Sequence, residues 1–207
     1  MQTRRDWLRS SLGIGSLLIA PPSILSAQEQ RDFSPRNLDP VIRLSSNENP
    51  YGPSKRVQER IKNSFAHGCR YPYAYSDDLA AILAKKHGVN PESIIVTGGS
   101  TEGLKIAGLT FASNGGEIIS GQPTFLAMMT YAKQWGATVN WVPVGADKGY
   151  DLDEIEKRIS SKTKLVFLCN PNNPTGTLVP AKKLVDFCYS ASKKTIVFSD
   201  EAYYDFI

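Results

Sequence analysis

The chain has 207 residues, 41% of them hydrophobic and 21% charged, with a net charge of +4. That is ordinary globular composition, enough for one substantial core with an extra arm. Half of the net charge comes from Arg4, Arg5, Asp6 and Arg9, and the body carries no Lys/Arg block, which leaves nucleic-acid binding without support. Cys69, Cys169 and Cys188 form no CxxC pair, and His67 and His87 supply no zinc spacing. No metal site is expected, and the thiols read as buried or incidental, with one disulfide left open in an oxidising compartment.

At the N-terminus, Thr3-Arg4-Arg5-Asp6-Trp7-Leu8-Arg9 precedes an uncharged, small-residue-rich stretch over 10–26. A basic segment ahead of an apolar one is the pattern of a secretory signal. The paired arginines before Trp7-Leu8 resemble a twin-arginine export signal; an ordinary secretory signal or an amphipathic helix is the alternative. The stretch is short and broken by glycine and Pro21-Pro22, so no stable membrane span is expected. Cleavage near Ser26-Ala27 and an uncleaved anchor both stay open. The expected layout is a signal over 1–27, a linker and arm over 28–54, and one ligand-binding domain over 55–207, with the protein periplasmic or exported.

Within the body, Ser54 is expected to cap a helix with Val57, Ile61 and Phe65 at near-helical spacing, stopped by Gly68. A second helix starts near Asp77-Asp78 and ends at Gly88. Strands and helices then alternate: a strand over 93–97, a helix over 101–111, a strand over 117–120, a helix over 124–135 and a strand over 138–144. Asp151 and Glu154 form a capping-box pattern for the next helix. A strand over 165–169, a helix with Leu184, Phe187, Cys188 and Ala191, and a strand over 195–199 complete the run. This alternation predicts an α/β fold, a mainly parallel sheet with helices on both faces.

Ligands of such sheets sit outside the carboxyl ends of the strands, and there the sequence places four motifs. Gly98-Gly99-Ser100-Thr101-Glu102-Gly103 joins a strand to a helix and reads as a phosphate cradle or as a tight turn with an ordinary cap. It is neither GxGxxG nor a P-loop. Gln122-Pro123-Thr124-Phe125 offers Phe125 either to the face of a planar ring or to the core. In Asn170-Pro171-Asn172-Asn173-Pro174-Thr175-Gly176 and Asp200-Glu201-Ala202-Tyr203, Asn173 and Tyr203 are donors suited to a phenolate-type oxygen. Asp200 opposite a pyridine nitrogen favours the protonated ring. Turn chemistry and a helix cap are the bland alternatives.

Taken together with Leu44-Ser45-Ser46-Asn47-Glu48-Asn49-Pro50-Tyr51-Gly52-Pro53-Ser54 and Arg70-Tyr71-Pro72, these motifs make residues 40–207 resemble the large domain of fold-type I pyridoxal phosphate (PLP) enzymes. Within that superfamily they are most similar to the histidinol-phosphate aminotransferase-like branch. The resemblance implies that Ser100, Thr101 and Glu102 border the PLP phosphate and that Phe125 stacks on the ring. It implies that Asn173 and Tyr203 bind the 3-hydroxyl and Asp200 the ring nitrogen. Tyr71 would reach the neighbouring subunit's phosphate in a homodimer, and Asn47, Asn49, Tyr51 and Gly52 would line the substrate entrance. Asp200 and Tyr203 are the catalytic candidates this chain carries. The family's Schiff-base lysine lies downstream of the Asp-containing strand, and no lysine follows Asp200 here. The small C-terminal domain is also missing from the pattern, so the chain reads as a fragment from which turnover alone is not expected.

The expected function of the whole protein is PLP-dependent transfer of an amino group between an amino acid or amine and a 2-oxo acid. The alternatives are another fold-type I reaction (decarboxylase, lyase or synthase) or an inactive cofactor binder. The amino donor is not legible in the sequence.

Overall fold

In the computed structural model of the protein, residues 44–207 are described. The expected signal, and the linker up to residue 43, lie outside the described residues. The chain divides into two units, Met1–Cys69 and Arg70–Ile207.

In the first unit, Ser46 and Asn47 adopt positive φ in a turn, followed by helix α1, Lys55–Ser64. Ser54 caps α1 as expected, its Oγ accepting from the Val57 N–H at 3.4 Å. Val57, Ile61 and Phe65 are solvent-exposed.

The second unit opens with helix α2, Tyr73–His87, four residues earlier than the acidic pair suggested. It closes at Gly88, whose φ of 67° supplies the left-handed cap from which Val89 N–H reaches Ala84 O. The strand expected over 93–97 does not form. Pro91–Ser93 is a 3-10 turn, and Ile94 continues extended with no ladder partner among the described strands. β-propensity without a neighbour to take the backbone N–H and C=O groups does not make a strand, and Ile95 is left 79% exposed.

Helix α3 (Ser100–Ala112), strand β1 (Glu117–Gln122), helix α4 (Ala127–Gln134), strand β2 (Thr138–Pro143), helix α5 (Leu152–Arg158), strand β3 (Thr163–Cys169), helix α6 (Ala181–Ala191) and strand β4 (Ile196–Asp200) follow. The sheet order is β2-β1-β3-β4, and every pair is parallel. The α/β fold read from the alternation is therefore present.

Period-two alternation divides the core between the two faces of the sheet. Ile118, Leu165, Phe167 and Cys169 pack with Leu104 and Ala107 of α3 and Met128, Met129 and Ala132 of α4. Ile119, Val142, Val166 and Leu168 pack with Ile155 of α5 and with Phe187 and Ala191 of α6. Each such fully buried Leu, Ile, Phe or Met is worth about 1.5–3 kcal/mol.

Two details bear on the site. Asp151 caps α5, its Oδ1 accepting from Glu154 N–H at 2.9 Å, but the reciprocal half of the capping box is absent because Glu154 pairs with Arg158 at 2.8 Å. Helix α4 starts at Ala127 rather than at Thr124, and the Thr124 hydroxyl bonds Asn172 in the loop after β3.

Candidate functional site

The chain leaves β1 across one face of the sheet to reach β2, then returns across the other face to β3 on the far side of β1. The loops after β1 and β3 therefore diverge, opening a crevice at the carboxyl ends of these two strands. Helix α3 points its N-terminus to the same end. Its C-terminus adjoins the start of β1, where Ala112 contacts Gly116, and its 13 residues run back along the sheet, a span of about 20 Å.

β4 delivers Asp200 to this end. Asp200 is 6% exposed and sits in register with Cys169 at the end of β3, and its carbonyl accepts from the Asn170 N–H at 2.9 Å. Burial pushes its carboxyl pKa up; the Ala202 N–H on Oδ1 at 3.2 Å pulls the other way, and Glu201 adds to the rise. Among the described residues no Lys or Arg pairs with it. A buried carboxylate with a raised pKa suits a cationic N–H partner. Asn173 Nδ2 donates to the Tyr203 hydroxyl oxygen at 3.4 Å, which sets an amide and a phenol side by side at this end.

At the mouth of α3, Gly99 has φ 88°, and nothing lies within 4 Å of where a Cβ would project. The bare glycine backbone and the following helix N–H groups leave room for an anion. Ser100 and Thr101 are exposed at the first turn. Glu102 turns its carboxylate back onto the Gly98 N–H, so its side chain shapes the loop. Phe125 is half-buried and packs against the core cluster. Tyr71 is exposed and stacked on Tyr73 at 5.5 Å, outside this cluster. Asn47, Asn49, Tyr51 and Gly52 belong to the first unit, where Asn49 Oδ1 accepts from Tyr51 N–H at 3.0 Å to close the turn.

The sequence reading missed the polar network beneath these groups. Tyr150 Oη lies 2.7 Å from Thr124 Oγ1, donates to Asn172 Oδ1 at 2.8 Å, and accepts from the Cys169 N–H at 3.1 Å. Asn172 Nδ2 donates to Pro123 O at 3.1 Å and to Thr175 Oγ1 at 2.8 Å. Thr175 meets Thr177, whose hydroxyl donates to Lys148 O. Asn170 Oδ1 accepts from Val179 N–H and fixes the exit of the same loop. Burial pushes the Tyr150 hydroxyl up to about 12, with hydrogen bonds from Thr124 and Cys169 opposing, so it stays protonated at neutral pH. Burial likewise pushes the Cys169 thiol up to about 11, which leaves it un-ionised. Asn172 was visible in its motif only as turn chemistry, and Tyr150, between a glycine and a helix cap, carries no signal of its own.

A cleft of about 600 Å³ lies on the outer side of Tyr150, lined by Asp147, Asp151, Asp153, Glu156, Lys183 and Asp186 among others. Its polar walls offer neither the Asn173–Tyr203 donor pair nor Asp200, and no metal-holding group of His, Cys, Asp or Glu occurs among the described residues. The candidate residues gather at the strand ends, outside this cleft. No helix among the described residues is long and apolar enough to cross a membrane, and all three cysteines are free, Cys69 being exposed.

The fold and these groups define an α/β protein with its polar site at the switch point of a parallel sheet. Residues 39–207 match the family model for aminotransferase class I and II, and the chain belongs to that family. Histidinol-phosphate aminotransferase 1 of Bacillus cereus is 36% identical over 169 residues, covering 82% of this chain and 45% of the relative. The aspartate aminotransferase of Thermotoga maritima superposes with a TM-score of 0.68 at 26% identity, over 78% of this chain and 46% of that one. The histidinol-phosphate aminotransferase of Sinorhizobium meliloti, solved in complex with pyridoxal-5'-phosphate, gives 0.69 at 23% identity over 74% and 42%; at that identity it supports the fold alone. The chain spans a little under half the length of the relatives it matches.

Proposed function

We propose that the whole protein is a PLP-dependent aminotransferase that moves an amino group between an amino acid or amine and a 2-oxo acid, and that residues 70–207 hold much of its cofactor site. The observation that carries this reading is Asp200, a buried carboxylate without a cationic partner among the described residues, at the strand end beside the Asn173–Tyr203 donor pair. When bound, PLP supplies an electron sink that makes the carbon bearing the amino group acidic. Asp200 would accept a hydrogen bond from the ring nitrogen and hold its proton there. Asn173 and Tyr203 would donate to the 3-oxygen and fix the ring's rotation. The glycine turn before α3, with Ser100 and Thr101, would bind the phosphate. Phe125 would cover one side of the ring and exclude water.

Family membership supports a second copy as partner, with Tyr71, solvent-exposed in this chain, as the residue offered across that interface. Export through a twin-arginine signal is part of the proposal and is supported by Arg4-Arg5 ahead of Trp7-Leu8.

Absorbance titration of the protein with PLP tests the site, and loss of the cofactor band on addition of an amino donor to the whole protein, with pyridoxamine phosphate as product, tests the reaction. Saturable binding that weakens in Asn173→Ala is expected. A folded protein that does not bind PLP would overturn the assignment, and binding without amino-group transfer would leave a cofactor binder.

A further inference from the structure

We infer that Tyr150 is a positioning residue of the cofactor site, a pin that holds the loops after β1 and β3 at the separation PLP requires; its link to the cofactor rests on the function proposed above. The ladder between β1 and β3 ends at Ser120 and Phe167. Asn170 N–H turns toward β4, where it meets Asp200 O, so the preceding N–H, that of Cys169, turns toward β1. No β1 carbonyl receives it. The Tyr150 hydroxyl does, at 3.1 Å, and so stands where the next rung would be.

The same oxygen reaches both loops. Thr124, one residue before Phe125, and Asn172, one residue before Asn173, meet Tyr150 at 2.7 and 2.8 Å and each other at 2.9 Å. Proton counting gives the network a direction. The Tyr150 and Thr124 hydroxyls both donate to Asn172 Oδ1, filling the two lone pairs of that carbonyl, while the phenol oxygen accepts from Cys169 N–H. The Asn172 amide then passes the sequence on through Thr175 and Thr177 to Lys148 O. Networks satisfied at every member rigidify what they join. Tyr150 reaches this point because β1 carries glycine at 121: a Cβ there would lie 2.3 Å from two atoms of the ring.

Tyr150→Phe removes the hydroxyl and leaves the ring. Leu165→Val, at the opposite end of β3 in the same sheet, serves as the control for a general loss of stability. On the PLP-free protein, amide exchange of Thr124, Phe125, Asn172 and Asn173 is expected to rise about tenfold or more in Tyr150→Phe, since all three contacts of the hydroxyl are lost, and to stay unchanged in Leu165→Val. The PLP dissociation constant is expected to rise by about the same factor in Tyr150→Phe only. Unchanged exchange in both loops, or an equal response in Leu165→Val, would overturn the inference. Should the wild-type protein fail to bind PLP, the proposed function falls and the exchange comparison alone decides whether Tyr150 pins the loops.

Discussion

Replacing Gly121 with alanine tests how tightly the strand and the pin are fitted. The new Cβ would lie 2.3 Å from Cδ1 and Cε1 of Tyr150, whereas carbon atoms rest at about 3.5–4.0 Å. The ring must therefore withdraw by about 1.2–1.7 Å. Contacts now at 2.7, 2.8 and 3.1 Å would then open to roughly 4 Å, beyond hydrogen-bonding range. At about 1 kcal/mol net for each, the loss is about 3 kcal/mol, a large share of the roughly 5–15 kcal/mol that holds a domain together. In a chain of this size that lowers Tm by about 10 °C. Thermal unfolding followed by circular dichroism reads it directly. The same substitution in a Tyr150→Phe background should cost markedly less, because the bonds it breaks are already gone. A fall of under about 2 °C, or equal costs in the two backgrounds, would refute the argument.

Two further outcomes follow from burial. Asp200→Asn should raise the Tm of the PLP-free protein at neutral pH while weakening PLP binding about tenfold or more, the worth of a charged hydrogen bond. Because burial raises the Asp200 pKa in the folded state, the folded protein holds the extra proton, and PLP-free stability falls as pH rises from the ordinary carboxylate range through the raised value. Unfolding curves from pH 4 to 7 should show this slope in the wild type and a shallower one in the asparagine variant; a variant less stable at pH 7 would contradict it. In thiol labelling of the folded protein, exposed Cys69 should react first and Cys169 only on unfolding, since burial and a pKa near 11 leave Cys169 little thiolate. Mass mapping of the early adduct decides the order.

The elements legible in the sequence were those whose signal is local. Ser54 and Asp151 capped helices as their side chains dictated, Gly88 ended one, and the β-α alternation gave a parallel sheet. Residues 93–97 had strand composition but no neighbour among the described strands, and pairing is not written in a single segment. Thr124 was expected to open a helix and instead bonds Tyr150, 26 residues away. The site divided the same way. Asn173, Asp200 and Tyr203 stood in motifs at strand ends and could be read. Tyr150 and Gly121 act through a contact that exists only once β1 and the loop before α5 are packed together.

β4 touches the described sheet along one side only, through its ladder to β3. Asp200 ends β4 and Tyr203 follows three residues on, so any opening of the β3–β4 ladder would carry both away from Asn173. A bound ligand that gripped both would act as a clasp on that ladder, lending β4 the free energy of its own binding. Protection of the β4 amides would then rise with ligand concentration while those of central β1 stayed level, so one strand's exchange would serve as a gauge of occupancy.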